Sequence, residues 1–195
     1  LQYVNFHAAF FTYLTQDHLD YHTNMENYFA TKARLFREYA PHRYAFVNSD
    51  DPYGEKVCAL STAKTFGYSI RKRTDFYARD IKESLNGLIF TIDVGRASYT
   101  ITSKLVGRYN VYNILAAFAL AYKEGISVRN IVRQIETFEG VKGRMERIYC
   151  GQDYFVFIDF AHTPDAFENV FRALKNVTKE NFIAVYGCGG GRDKE

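Results

Sequence analysis

Residues 154–191 read YFVFIDFAHTPDAFENVFRALKNVTKENFIAVYGCGGG. Tyr154-Phe155-Val156-Phe157-Ile158 is an apolar run of strand length, followed by a loop from Asp159 to Pro164. Pro164 and Asp165 suit the first turn of a helix that extends to about Asn176, because proline lacks only an N–H that the first turn leaves unbonded and the acid complements the helix dipole. Phe182 to Tyr186 is the next apolar run, and it empties into a glycine loop. Strand, loop, helix, strand and glycine loop predict the opening of an α/β unit with a parallel sheet. Ligands of such sheets sit at the carboxyl ends of the strands, where Asp159 and the glycine loop both fall.

Working outward, Gly140-Val141-Lys142-Gly143 predicts a domain boundary, with residues 1–139 in one unit and 140–195 in a second. Upstream, Phe10 to Leu14 reads as a buried strand running into Thr15-Gln16-Asp17-His18. Met25 to Tyr39 reads as a helix, with Tyr28, Phe29, Leu35, Phe36 and Tyr39 near helical spacing and Pro41 just beyond. A strand over Tyr44–Val47 closes in the turn-rich NSDDPYG of residues 48–54, and a helix is expected from about Glu55 to Lys64. From Phe66 to Val106 alternating stretches such as Leu88-Ile89-Phe90-Thr91-Ile92 predict antiparallel strands. Gly107 breaks that pattern. A strongly apolar helix follows over Val111–Lys123, then a second over about Val128–Phe138 behind a Ser127 cap.

The chain has 195 residues, 47% of them hydrophobic and 17% aromatic, enough to build a packed core and to exclude disorder of the whole chain. A formal charge of +3, from 25 basic and 22 acidic residues, gives no electrostatic case for nucleic acid or an anionic membrane as partner. Arg71-Lys72-Arg73 is expected to be a solvated turn. Cys58, Cys150 and Cys188 are far apart and odd in number, so they make neither a metal motif nor a disulfide framework, and a reducing, cytoplasmic compartment fits. No apolar run reaches transmembrane length, so no membrane insertion is expected. Leu1 is not an initiator methionine, and the chain stops just after its glycine loop. An internal piece of a longer protein is expected.

Four clusters could carry chemistry. Thr15 to His22 (TQDHLDYH), with Lys32 in the following helix, suits a metal or phosphate site, or else a hydrogen-bonded loop before a helix. In Gly107 to Asn113 (GRYNVYN), Asn110 and Asn113 lie three apart and share a helix face. Their amides suit the edge of adenine, or simply cap the helix. Arg144 at the boundary could meet a phosphate, or pair with Glu146 at the surface. Asp159, with His162 nearby, could bind ribose hydroxyls, and the turn ending in Arg192-Asp193-Lys194 could approach an anion. No G-x-x-x-x-G-K-[ST] phosphate loop occurs in the chain, so a main phosphate cradle would lie before Leu1.

TQDHLDYH (15–22), MENYFATKARLF (25–36), NSDDPYG (48–54), GRYNVYNILAA (107–117), GRMERI (143–148), DFAHTPDAFENV (159–170) and YGCGGGRDK (186–194) together resemble the Mur ligases, in wording the MurE type. These segments span nearly the whole chain; only the β-rich middle lacks one. The resemblance implies an α/β chain holding the latter part of a central ATPase domain and the start of a Rossmann-like C-terminal domain. It implies ATP and Mg2+ as cofactors, Lys32 as an N-carboxylated (carbamylated) lysine, and His18 as a ligand of the same magnesium. Asn110 and Asn113 would contact adenine, Arg144 would reach the nucleotide from the hinge, and Asp159 would bind ribose with His162 beside it. Arg192 would contact the incoming amino acid. The family usually reads GCGGDRDKGKR; Gly191 here replaces the first aspartate, and Glu195 follows Lys194.

The implied reaction is ATP-dependent amide formation, through an acyl phosphate, between UDP-N-acetylmuramoyl-L-alanyl-D-glutamate and a diamino acid (diaminopimelate or lysine) in peptidoglycan synthesis, by a monomeric parent enzyme. The alternatives are a non-catalytic binding protein of the same fold and a relative such as folylpolyglutamate or cyanophycin synthetase.

Overall fold

A computed structural model describes residues 4–15, 24–39, 43–178 and 182–187. Its main body is a six-stranded sheet with strand order matching chain order: β1 (Ala8–Phe11), β2 (Tyr44–Asn48), β3 (Lys64–Ser69), β4 (Phe76–Ser84), β5 (Gly87–Val94) and β6 (Ala97–Ser103). β1 to β4 run parallel, while β4, β5 and β6 form an antiparallel meander.

Strand period sorts the side chains of β2 between two helical layers. Phe46 faces one way, into a core shared with α3 (Tyr109–Lys123) and α4 (Val128–Thr137). Ala45 and Val47 face the other way, against α1 (Met25–Arg37) and α2 (Gly54–Leu60). α1 begins where the Asn24 side chain accepts the Asn27 N–H at 2.8 Å, satisfying one of the donors a helix start leaves open. α3 buries Val111, Ile114, Leu115, Phe118 and Ala119, the spacing of a helix face. Full burial of a side chain such as Phe118 or Leu115 contributes about 1.5–3 kcal/mol.

Helix ends differ from the sequence expectation by two residues at Arg37 and at Tyr109, and two larger differences have a visible cause. β1 ends at Phe11 because the next backbone groups leave the ladder: Asn48 Nδ2 donates to the Thr12 carbonyl at 2.7 Å, and Asp51 Oδ2 accepts the Leu14 N–H at 3.0 Å. The helix expected to reach Lys64 stops at Leu60, and β3 follows, parallel to β2. Alternation puts Phe66 and Tyr68 of β3 into the core beside Phe46, a burial that further helix would forgo.

Beyond α4 the expected parallel unit is only partly formed. α5 (Pro164–Val177) matches, with the Thr163 hydroxyl accepting the Ala166 N–H at 3.3 Å and proline in its first turn. β8 (Val156–Ile158), however, pairs antiparallel with β7 (Glu146–Ile148), because the chain folds back on itself after the boundary glycines. Residues 182–187 form no strand; Ile183 and Val185 are 93% and 96% exposed and find no ladder partner among the described residues. Ser127 occupies the cap position of α4 but makes no side-chain cap bond. Arg71, Lys72 and Arg73 are exposed in a turn, as expected. Among the described residues no helix is long and apolar enough to cross a membrane.

Candidate functional site

The start of α3 is set by Gly107, whose φ of +96° suits glycine and whose Cα approaches both the Tyr109 ring and Ala173 of α5; an added Cβ would stand 2.7 Å from the one and 3.2 Å from the other. Arg108 takes the cap position, without a side-chain cap bond. The two asparagines are therefore inside the helix, and the capping alternative does not hold. Asn110 Nδ2 donates to the Val106 carbonyl at 2.8 Å, and Asn113 Nδ2 donates to Asn110 Oδ1 at 2.9 Å. Asn110 is half-buried and Asn113 exposed, so the two form an oriented pair at the helix start.

The boundary segment is fastened to the end of β8. Met145 has φ +48°, in the left-handed region uncommon for a side-chain-bearing residue, and is buried. Its N–H donates to Asp159 Oδ2 at 2.8 Å, the Ala161 N–H donates to Asp159 Oδ1 at 2.8 Å, and the Phe160 N–H donates to the Gly143 carbonyl at 2.8 Å. Arg144 does not pair with Glu146, whose carboxylate instead accepts the Gly143 N–H at 2.8 Å. The Arg144 guanidinium lies 5.2 Å over the Phe160 ring, exposed. His162 is exposed, its Nδ1 donating to the Phe160 carbonyl at 2.9 Å.

These two constructions meet. Val106, Asn110, Arg144, Met145, Lys104 and Arg147 line a cleft of about 280 Å3 between the end of β6, the start of α3 and β7. Arg147 donates to Asn86 Oδ1 at 3.1 Å across it, and Lys104 pairs with Glu139. Tyr109 is the residue that sequence reasoning passed over, although it stands inside GRYNVYN, because a tyrosine at helical spacing reads as core. Burial pushes its phenol up to about 12; the Asp159 charge adds to the rise, and Asn110 and the Arg144 charge oppose it. Asn110, Arg144 and Met145 thus meet at one cleft, with Asp159 bonded to the Met145 N–H and Tyr109 near enough to feel the Asp159 and Arg144 charges, from positions up to fifty residues apart.

Lys32 is not part of this group. It lies on α1, in the layer on the other face of the sheet, exposed and with its Nζ 5.1 Å over the Tyr28 ring. His18 and Arg192 lie outside the described residues. Among the described residues no three His, Cys, Asp or Glu side chains gather as a metal site.

Residues 1–121 match the Mur ligase middle domain, and residues 143–195 match the glutamate ligase domain of Mur ligases. The chain belongs to the Mur ligase family. A relative from Syntrophomonas wolfei, UDP-N-acetylmuramoyl-L-alanyl-D-glutamate–2,6-diaminopimelate ligase, is 42% identical over 193 residues, covering 98% of this chain and 40% of its own length. A solved structure of a ligase of that name is 33% identical with a TM-score of 0.75, over 95% of this chain and 39% of that one. MurF from Acinetobacter baumannii, 21% identical with a TM-score of 0.78 over 88% of this chain and 38% of that one, shares the fold. This Mur ligase chain therefore spans about 40% of the length of the curated relatives it matches. The sheet with helices on both faces is the expected α/β architecture of the family.

Proposed function

We propose that the full-length protein carrying this chain is an ATP-dependent amide ligase. It joins a diamino acid to the D-glutamyl carboxylate of UDP-N-acetylmuramoyl-L-alanyl-D-glutamate, as a monomer in the cytoplasm, during peptidoglycan synthesis. The observation that carries this is the 42% identity, over 98% of the chain, to a diaminopimelate-adding ligase. The names of the relatives favour diaminopimelate over lysine. The division of the chain near Gly140 into a central and a C-terminal domain is supported by the two family matches, which leave residues 122–142 between them.

Asn110 and Arg144, which line the cleft, fit a nucleotide together with the side chains bonded beside that lining. Asn113 is exposed beside Asn110, and an amide both donates and accepts, as the edge of adenine requires. Each Asp159 oxygen accepts one backbone N–H and keeps a second lone pair for a ribose hydroxyl. The Arg144 guanidinium is a planar fork suited to phosphate, stacked on Phe160 and in no ion pair among the described residues. His162 is held by the Phe160 carbonyl on the same loop. Lys32 as an ammonium would repel magnesium. Reaction of its neutral amine with CO2, losing one proton, would turn it into an oxygen donor suited to that hard cation, which Lys32 and His18 would then hold. Bound ATP supplies the phosphoryl group that activates a carboxylate, and magnesium screens the charge of its phosphates. Arg192 is assigned to the carboxylate of the incoming amino acid.

The test is direct. Full-length protein given ATP, Mg2+ and UDP-N-acetylmuramoyl-L-alanyl-D-glutamate should release phosphate and form amide product with diaminopimelate. Lysine in its place should give little product. Absence of product with either amino acid would remove the assignment and leave a non-catalytic binding protein of this fold.

A further inference from the structure

The segment NSDDPYG (48–54) has no part in the assignments above, yet its side chains reach in two directions. Asn48 and Asp51 hold the chain beyond β1, at Thr12 and Leu14, which leads toward His18. Asp50 turns the other way. Its Oδ1 accepts the Ser69 hydroxyl at 2.6 Å, and its Oδ2 accepts the Ile70 N–H at 2.8 Å and the Tyr112 hydroxyl at 3.0 Å. Ser69 is fully buried, and its Oγ in turn accepts the N–H groups of Arg71 and Lys72 at 3.0 and 2.9 Å. The Asp50 carboxylate is thus fixed at the carboxyl ends of β2 and β3, and it presents one acceptor to α3.

Tyr112 sits on α3 between Asn110 and Asn113. At 3.6 residues per turn it lies roughly 130° round the helix from the middle of the asparagine pair. A bond made there, to a carboxylate anchored in the sheet, fixes how the helix is rotated about its axis. That rotation decides where the asparagine face points. Resting on the nucleotide assignment above, we infer that Asp50 is a positioning residue for the reaction: through Tyr112 it sets the rotation of α3 that presents Asn110 and Asn113 to the base. Asp50 does not touch the nucleotide itself.

Tyr112→Phe removes only the hydroxyl and keeps the ring packed, so it isolates the link; Asp50→Asn perturbs it from the other end. In the full-length enzyme, Tyr112→Phe should raise the KM for ATP about fivefold, the size of one lost hydrogen bond. The kcat and the KM for the diamino acid should stay unchanged, and the preference for ATP over GTP should narrow. Asp50→Asn should do the same, and the double variant should be no worse than the more affected single one, because both break one link. Asn113→Ala is the reference for the base subsite. If Asn113→Ala raises the KM for ATP while Tyr112→Phe does not, the positioning role is overturned and the adenine assignment survives. If Asn113→Ala leaves it unchanged, the adenine assignment falls and the positioning role with it. Equal rises in every substrate KM with an unaltered ATP-to-GTP preference would show a merely structural tie, which also overturns it.

Discussion

Asp159 Oδ2 accepts the backbone N–H of Met145 at 2.8 Å, and Met145 is held there at φ +48°. A carboxylate at the end of β8 therefore fixes the backbone turn that carries Arg144. Asp159→Ala would strand the N–H groups of Met145 and Ala161, at a cost of about 1–3 kcal/mol for donors left unpaired in a half-buried setting. The expected outcome is a lower denaturation midpoint of that order together with weakened ATP binding. Unchanged stability with weakened binding would show that Asp159 acts on the ligand alone.

Asn113→Ala should weaken ATP binding by about 1–3 kcal/mol while leaving the fold intact, because the side chain is exposed and its hydrogen-bond partner among the described residues is Asn110 Oδ1. Asn110→Ala should lose both affinity and stability, since it also gives up the bond to the Val106 carbonyl. Calorimetric titration of the two variants with ATP separates these outcomes. Equal behaviour of both would count against the oriented pair.

Lys32 is exposed on α1, so substitutions there should change stability by no more than about 0.5 kcal/mol. Turnover should nevertheless collapse in both Lys32→Arg and Lys32→Ala: arginine cannot form the carbamate, and alanine supplies no oxygen. A small carboxylate added to the alanine variant should restore part of the rate. Wild-type turnover in Lys32→Arg would end the carbamate assignment, and with it the main reason to call His18 a metal ligand.

Burial pushes the phenols of Tyr68, Tyr109 and Tyr112 upward, Tyr109 to about 12. The unfolded chain ionises its tyrosines near pH 10, so above that it releases protons that the folded chain retains. The stabilisation is complete below pH 10 and is lost as pH rises toward 12. Denaturation midpoints measured across that window should fall, and Tyr109→Phe should fall less steeply than wild type. An identical slope in the variant would place the alkaline sensitivity elsewhere.

The helices were legible in the sequence because each carries its own signal. α1 and α5 show apolar spacing with a cap or proline at the start, and α3 follows a glycine that its entry conformation favours. Asn110 and Asn113 were legible as a pair because helical spacing alone puts them on one face. The parallel pairing of β3 was not, since Lys64–Ser69 alternates like any half-buried strand and only its neighbour fixes direction.

The sequence by itself determined the family and the residues offered for chemistry, because local spacing and short motifs are properties of the chain. Only the tertiary structure decided which of them meet. Asn110, Arg144 and Asp159 converge through a left-handed turn at Met145 and backbone hydrogen bonds across the boundary, while Lys32 is carried on the opposite layer of the sheet. It also decided that Asp50 faces α3 and Asp51 faces the chain beyond β1. Two adjacent aspartates look alike in sequence; the donors that satisfy each one come from segments folded beside it, and distance along the chain does not encode them.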